Sequence, residues 1–294
     1  MRRALISGIT GFIGGKLSQR LLSDGWQVDA IVRPQSDTGS LVNSGITFHS
    51  VEDGQDLTSV LAKAKPDVVF HLASLYLAEH RPDQIEALIS SNVLFPALLA
   101  EAMAATGCTR LINTGTAWQQ FGVDSYLPVN LYAATKQAAE DLLLYYADAH
   151  DLSVVTLRLF DTYGRGDKRR KLIQILIDAA RSGEPIAMSP GEQIVDMTHV
   201  DDVVAAFVLA AKHLTASAPG SNATWFVSGE RFSVRELADL VANAIGRLVN
   251  ARFGGRPYRD REVMLPYVPN EAELVPEWRR QRTVEETVRD IGKD

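Results

Sequence analysis

Short apolar runs alternate with longer stretches of helical period through the first half of the chain. The runs Ala4–Ser7, Val28–Val32, Ile46–Val51, Val68–Leu72, Arg110–Thr114 and Val154–Phe160 predict strands. Stretches near Ile13–Ser23, Leu57–Ala64, Pro82–Ala105 and Leu131–Ala149 predict the helices between them. Strands buried on both faces are apolar throughout, as in Asp67-Val-Val-Phe-His-Leu72, and strand–helix alternation is the mark of a parallel sheet with crossover helices. The predicted fold is α/β: a doubly wound parallel sheet with a smaller C-terminal α/β lobe. Past Phe160 the rhythm breaks into a charged, turn-like stretch up to Arg170. Beyond it, Ser233-Val-Arg-Glu236 and Thr283-Val-Glu-Glu286 are capping boxes that mark helix starts. These signals place the first domain at 1–165, with 192–222 returning to it, and the second lobe at 166–191 and 223–294.

A chain of 294 residues, 46% apolar and 22% charged, is long enough to bury a sizeable core. Its formal charge of −6, without a long basic block, argues against general nucleic-acid binding. Cys108 is the only cysteine, which excludes an intramolecular disulfide, a multi-cysteine zinc site or an iron–sulfur cluster; no metal is expected. The basic start Met1-Arg2-Arg3 leads into glycines within a few residues, unlike a secretion signal, and no apolar run approaches the roughly 18 residues of a membrane span. A cytoplasmic location without membrane association is expected.

Candidate chemistry begins at the first strand–helix junction. Ser7-Gly8-Ile9-Thr10-Gly11-Phe12-Ile13-Gly14 carries glycines at G-x-x-G-x-x-G spacing. That spacing allows a tight turn, close backbone approach to a pyrophosphate, and a helix N-terminus aimed at the phosphates. An acidic residue closing the second strand would take the ribose hydroxyl of NAD, whereas arginine suits the 2′-phosphate of NADP. Here Asp29 lies inside the strand and Arg33 stands at its tip, so NADP(H) is favoured over NAD(H).

Tyr132-Ala-Ala-Thr-Lys136 puts a phenol and an ammonium one helical turn apart. A neighbouring cation favours the phenolate, and the expectation is that Lys136 draws the Tyr132 pKa down toward the working range. Thr114 and Thr116 close the fifth predicted strand, at the carboxyl edge where ligands bind in open α/β sheets. Thr116 is the candidate for polarising a reacting carbonyl, and Thr114 is expected to be structural.

These motifs, with His71-Leu72-Ala73-Ser74, Ser90-Ser91-Asn92-Val93, Arg158-Leu-Phe-Asp-Thr-Tyr-Gly164 and His199-Val-Asp-Asp-Val203, occur in the order of the extended short-chain dehydrogenase/reductases. The chain resembles the nucleotide-sugar epimerase/dehydratase group, and Val129–Gln137 with Asn113–Thr116 is most similar to CDP-abequose and CDP-paratose synthases. The resemblance implies catalysis by Thr116, Tyr132 and Lys136. It implies a cofactor site of Gly8, Thr10, Gly11, Phe12, Ile13, Gly14, Arg33, Asp56, Leu57, Leu72, Ala73, Ser74 and Asn92 with Tyr132 and Lys136. Asp56-Leu57, the family's adenine-edge contact, equally suits a helix cap. The substrate site would add Trp118 to Thr116 and Tyr132, and the segment Gly255–Arg261 would offer Arg256 and Arg259 to a diphosphate. Lys168–Lys171 reads as a solvated helix start before a phosphate clamp.

Three reactions compete within the group. Sugar dehydratases carry Asp-Glu after the threonine, where this chain has Ala117-Trp118, so dehydration is disfavoured. The expected reaction is NADPH-dependent reduction of a 4-keto group on a CDP- or dTDP-linked deoxyhexose. Alternatives are a 4-epimerase, a reductase of small carbonyls, and a non-enzymatic NADP-binding sensor. Val195 replaces the family's usual arginine and leaves the nucleotide handle open. Family dimers pair through helices like Pro82–Ala105 and Leu131–Ala149, so a homodimer is expected.

Overall fold

A computed structural model describes residues 2–41, 43–52, 56–122 and 125–292. The elements run β1 (Arg3–Ser7), α1 (Phe12–Ser23), β2 (Gln27–Val32), β3 (Thr47–Ser50), α2 (Leu57–Ala64), β4 (Val68–His71), α3 (Ile85–Ile89), α4 (Phe95–Thr106), β5 (Arg110–Thr116), α5 (Leu131–His150), β6 (Ser153–Leu159) and β7 (Asp161–Tyr163). There follow α6 (Leu172–Ser182), β8 (Ile186–Met188), β9 (Ile194–His199), α7 (Val200–Ala216), β10 (Asn222–Val227), β11 (Glu230–Ser233), α8 (Val234–Ile245), β12 (Ala251–Phe253) and α9 (Val284–Gly292).

Seven strands form one parallel sheet in the order β10-β6-β5-β4-β1-β2-β3. The order reverses between β1 and β4, and that switch point opens a crevice at the strands' carboxyl ends. Apolar side chains on both faces of the sheet build two cores. One joins Ile6, Phe70 and Ile112 to Leu17 of α1 and Phe207 of α7. The other joins Leu5, Val69 and Leu111 to Leu61 of α2 and Met103 of α4. The structure is thus the doubly wound Rossmann fold. Cys108 is buried in the second core; burial pushes its thiol up to about 11, as befits a packing residue.

The smaller lobe packs α6, α8 and α9 around Ile177, Met197, Leu237 and Val288, with the sheet β11-β9-β7 and the pair β12-β8. Both capping boxes form: Glu236 N donates to Ser233 Oγ at 3.1 Å, and Glu286 N to Thr283 Oγ1 at 3.2 Å.

The lobes divide differently from the expected 192–222 return. β9 pairs with β7 and β11 in the second lobe, so the chain re-enters the first lobe at Val200 and leaves after Val227. β10 escaped notice because an edge strand with one half-wet face, Asn222-Ala-Thr-Trp-Phe-Val227, shows no continuous apolar run. The segment around Val275–Arg282 also packs on the first lobe. Trp278 and Val275 enter its core, and buried Asp202 accepts the backbone N–H groups of Gln281 and Arg282 at 3.0 Å each.

One further expectation is corrected. Pro82–Thr106 is a continuous helical run of 25 residues, and an 18-residue window within it has a mean hydropathy of 1.5, long and apolar enough to cross a membrane by those measures. Here Leu88, Leu99 and Met103 are fully buried in protein. A π-helical segment, Ser90–Leu94, interrupts the run just before Pro96, whose missing N–H cannot complete the α pattern.

Candidate active site

The crevice at the switch point is a cleft of about 280 Å³. Gly8, Gly11, Phe12, Ile13 and Gly14 line one end, and Thr116, Trp118, Tyr132 and Lys136 line the other. The glycines are dictated by contact as well as by turn. Gly8 has φ +79°, and a Cβ there would lie 2.5 Å from the Ala73 nitrogen. A Cβ on Gly14 would lie 2.2 Å from the Gly8 carbonyl oxygen. The loop therefore lies directly against the chain leaving β4, and α1 starts at Phe12 after the N-cap Gly11, with no capping side chain and no acid in its first turn. Bare first-turn amides and a positive helix end suit a pyrophosphate. These residues fit a dinucleotide.

At the other end, Tyr132 and Lys136 project from the first turns of α5, which Asn130 caps by accepting from Ala133 N at 2.9 Å. Both side chains are buried, at 9% and 3% exposure. Thr116 ends β5, and its Oγ1 accepts from Trp118 N at 3.3 Å. Thr114 also lines the cleft, and its Oγ1 donates to the His71 carbonyl at 2.8 Å.

The electrostatics correct the sequence expectation. Burial raises the Tyr132 phenol to about 12; a hydrogen bond with Ser74 and the charge of Arg169 oppose that rise. Burial also lowers the Lys136 ammonium to about 8, against the pull of Glu140, and desolvation is the largest cause at both groups. At neutral pH the phenol keeps its proton. His71, beneath the cleft, is lowered to about 3 by burial and then by Lys136, and its neutral ring hydrogen-bonds Ser7 Oγ at 2.7 Å.

Several wall residues escaped the sequence reading. Tyr76 packs edge-on against Tyr132 at 5.1 Å and tilts against Trp118 at 5.8 Å. Lys171 lays its ammonium 4.5 Å over the Tyr76 ring and pairs with Asp161 at 3.2 Å. Arg169 covers the Phe12 ring at 5.1 Å while gripping Asp167. The basic stretch read as a solvated helix start thus supplies two cations to the cleft wall. No local pattern marks Tyr76, which the crossover after β4 carries to the phenol.

Other expected site residues are placed elsewhere. Arg33 stands exposed just past β2, its backbone in a turn closed by Ser36 N to Arg33 O at 2.9 Å. Thr10 is exposed at the loop tip. Asp56 occupies the N-cap of α2 in the left-handed conformation, but its side chain makes no capping bond. Leu57 has its side chain in the core. Asn92 is buried behind the wall, where its Oδ1 accepts from Leu75 N at 2.8 Å and from Ser74 Oγ at 3.1 Å. It shapes the segment that carries Leu72, Ala73 and Ser74. Arg256 and Arg259 are exposed, and Arg259 lies 3.7 Å from Glu79. Val195 packs against the second-lobe core. Among the described residues no group of acidic, histidine or cysteine side chains could hold a metal.

A parallel sheet with a glycine loop at its switch point, facing a buried Tyr-x-x-x-Lys pair, defines a Rossmann-fold enzyme of the dinucleotide-dependent class. The chain belongs to the NAD dependent epimerase/dehydratase family, whose profile matches residues 4–223. It is 27% identical over 269 residues to the CDP-abequose synthase of Yersinia pseudotuberculosis, covering 90% of this chain and 91% of that protein. It is 30% identical over 263 residues to a UDP-glucose 4-epimerase of Mycolicibacterium smegmatis, covering 83% of each. The solved structure of MoeE5 in complex with UDP-glucuronic acid and NAD matches with a TM-score of 0.82 at 29% identity, over 97% of this chain and 96% of that one.

Proposed function

We propose that the protein reduces a 4-keto group on a CDP- or dTDP-linked deoxyhexose, with NADPH as the reductant. The observation that carries this reading is the convergence of buried Tyr132 and Lys136 with Thr116 on the same cleft as the glycine loop. A bound nicotinamide dinucleotide supplies the hydride. Tyr132 then delivers its proton to the carbonyl oxygen, and Thr116 Oγ1 donates to the same oxygen and holds it in place. Lys136 holds ribose hydroxyls and balances the phenolate left after transfer. Ser74 steadies the phenol by hydrogen bonding, and Tyr76 and Trp118 shield it from water.

Asp161 is the one carboxylate among the described residues of the cleft wall, and it is tied to Lys171. Elimination of water needs a free acid–base pair beside the sugar, and the Ala117-Trp118 turn supplies none. The similarity to CDP-abequose synthase supports reduction; that to a UDP-glucose 4-epimerase supports the second reading, 4-epimerisation by the same phenol. Assay with nucleotide-linked 4-keto sugars separates them. A reductase consumes one NADPH per sugar, an epimerase none, and tight cofactor binding without turnover on any carbonyl would point to a sensor. The same proposal includes a homodimer through the faces of Pro82–Thr106 and α5, and a cytoplasmic location.

Arg33 carries the cofactor preference. Because a guanidinium contact to a phosphate is commonly worth about 1.5–3 kcal/mol, Arg33→Ala is expected to weaken NADPH binding roughly tenfold or more and to leave NADH unchanged. Isothermal titration with both dinucleotides checks this; equal losses for the two would remove the 2′-phosphate role.

A further inference from the structure

The face of α5 that bears Tyr132 and Lys136 continues one turn on to Glu140, whose side chain is only 9% exposed. Three donors converge on its carboxylate. Gln119 Nε2 donates to Oε1 at 2.8 Å, Arg158 Nε to Oε1 at 3.3 Å, and Arg158 Nη2 to Oε2 at 2.7 Å. Gln137 Oε1 closes the ring by accepting from Gln119 at 2.8 Å and from Arg158 Nη2 at 3.0 Å. Gln119 is fully buried, and its Oε1 accepts from the backbone N–H of Thr116 at 3.0 Å. One network therefore ties the end of β5, the middle of α5 and strand β6. The sheet makes room for it at Gly115, where a Cβ would lie 2.8 Å from Glu140 Oε1.

We propose that Glu140 is a positioning residue for the Tyr132–Lys136 pair: clamped by Arg158 and Gln119, its carboxylate keeps Lys136 a cation and keeps Thr116 in register with α5. The proposal rests on the reductase reading for its catalytic meaning. Burial lowers the Lys136 ammonium and the Glu140 carboxylate opposes that fall, so that together they leave it to lose its proton as pH rises through about 8. The other charged or titratable groups around Lys136 do not replace it. Tyr132 on α5 is protonated, and His71 on β4 is neutral. Arg158 on β6 is bound to Glu140 itself, and Asp161, Arg169 and Lys171 across the cleft are engaged with one another's segment or with Asp167. A fixed carboxylate one turn beyond the lysine is thus the local counter-charge.

The test follows the Lys136 side chain in the whole, ligand-free protein by carbon NMR of labelled lysines, the resonance being assigned with Lys136→Arg. In the parent chain the titration midpoint is expected near 8. In Glu140→Gln it should fall by about one pH unit, and in Glu140→Asp by much less. Gly115→Ala keeps every charge and pushes the carboxylate aside, so it should move the midpoint the same way by about half a unit; it serves if Glu140→Gln does not fold by circular dichroism. The alkaline limb of the NADPH-dependent rate should move with the midpoint. An unchanged midpoint in folded Glu140→Gln, or in Gly115→Ala should that variant alone fold, overturns the proposal. Because the NMR arm needs neither cofactor nor turnover, its failure is distinct from failure of the reductase reading, which the 4-keto sugar assay judges.

Discussion

Tyr132→Phe is expected to cut turnover by about 10²–10⁴-fold, the usual worth of a positioned general acid. The ring would stay in place, since it is buried and packs edge-on with Tyr76; only the proton and the hydrogen bond with Ser74 are lost. Dinucleotide affinity and melting temperature should therefore change little while kcat collapses. Steady-state kinetics beside a thermal melt measures both, and near-normal kcat in the folded variant would mean that another group supplies the proton. The raised phenol adds a sign to the pH profile. A proton donor at about 12 stays loaded across the neutral range, so the first alkaline loss belongs to Lys136, which discharges as pH rises through about 8.

Gly14→Ala should act as strongly on binding. Its new methyl would meet the Gly8 carbonyl oxygen at 2.2 Å and the Ile9 Cα at 2.8 Å, both backbone atoms of the turn it abuts. Overpacking of this kind commonly costs about 1–3 kcal/mol. The strain falls on the loop whose free amides would hold the pyrophosphate. We expect a melting temperature lower by several degrees, roughly as that cost predicts, and dinucleotide affinity reduced by roughly a hundredfold as the amides are pushed out of line. Isothermal titration and calorimetry read the two effects. Unchanged affinity would place the dinucleotide elsewhere.

Five of the six predicted strands were legible because they lie inside the sheet, covered on both faces, and carry mostly apolar runs; β3, at the sheet's far edge with Thr47 and Ser50 exposed, was marked by its apolar flanks Ile46 and Val51. β10 was not, being half-wet at the sheet's edge, and β9 was assigned to the wrong lobe because strand pairing is settled by long-range register. In the site, Tyr132 and Lys136 could be read because a helix turn fixes their spacing, and the glycine loop because its tight contacts admit no side chain. Tyr76, Arg169 and Lys171 reach the cleft from loops far apart in the chain, which local pattern does not encode. The electrostatics of the pair were misjudged for a related reason. Spacing shows that a phenol and an ammonium are neighbours, but how much water each loses is a property of the closed fold, and desolvation outweighs their mutual influence here.

Transfer of deuterium from C4-deuterated NADPH to a CDP- or dTDP-linked 4-keto-6-deoxyhexose would put the central claim to its most direct trial. Mass spectrometry and NMR of the product should find one deuterium on the former carbonyl carbon, matched by an equal amount of oxidised cofactor, and neither in Tyr132→Phe. A product without the label, or sugar epimers formed with no cofactor consumed, would show that the buried phenol serves a different reaction.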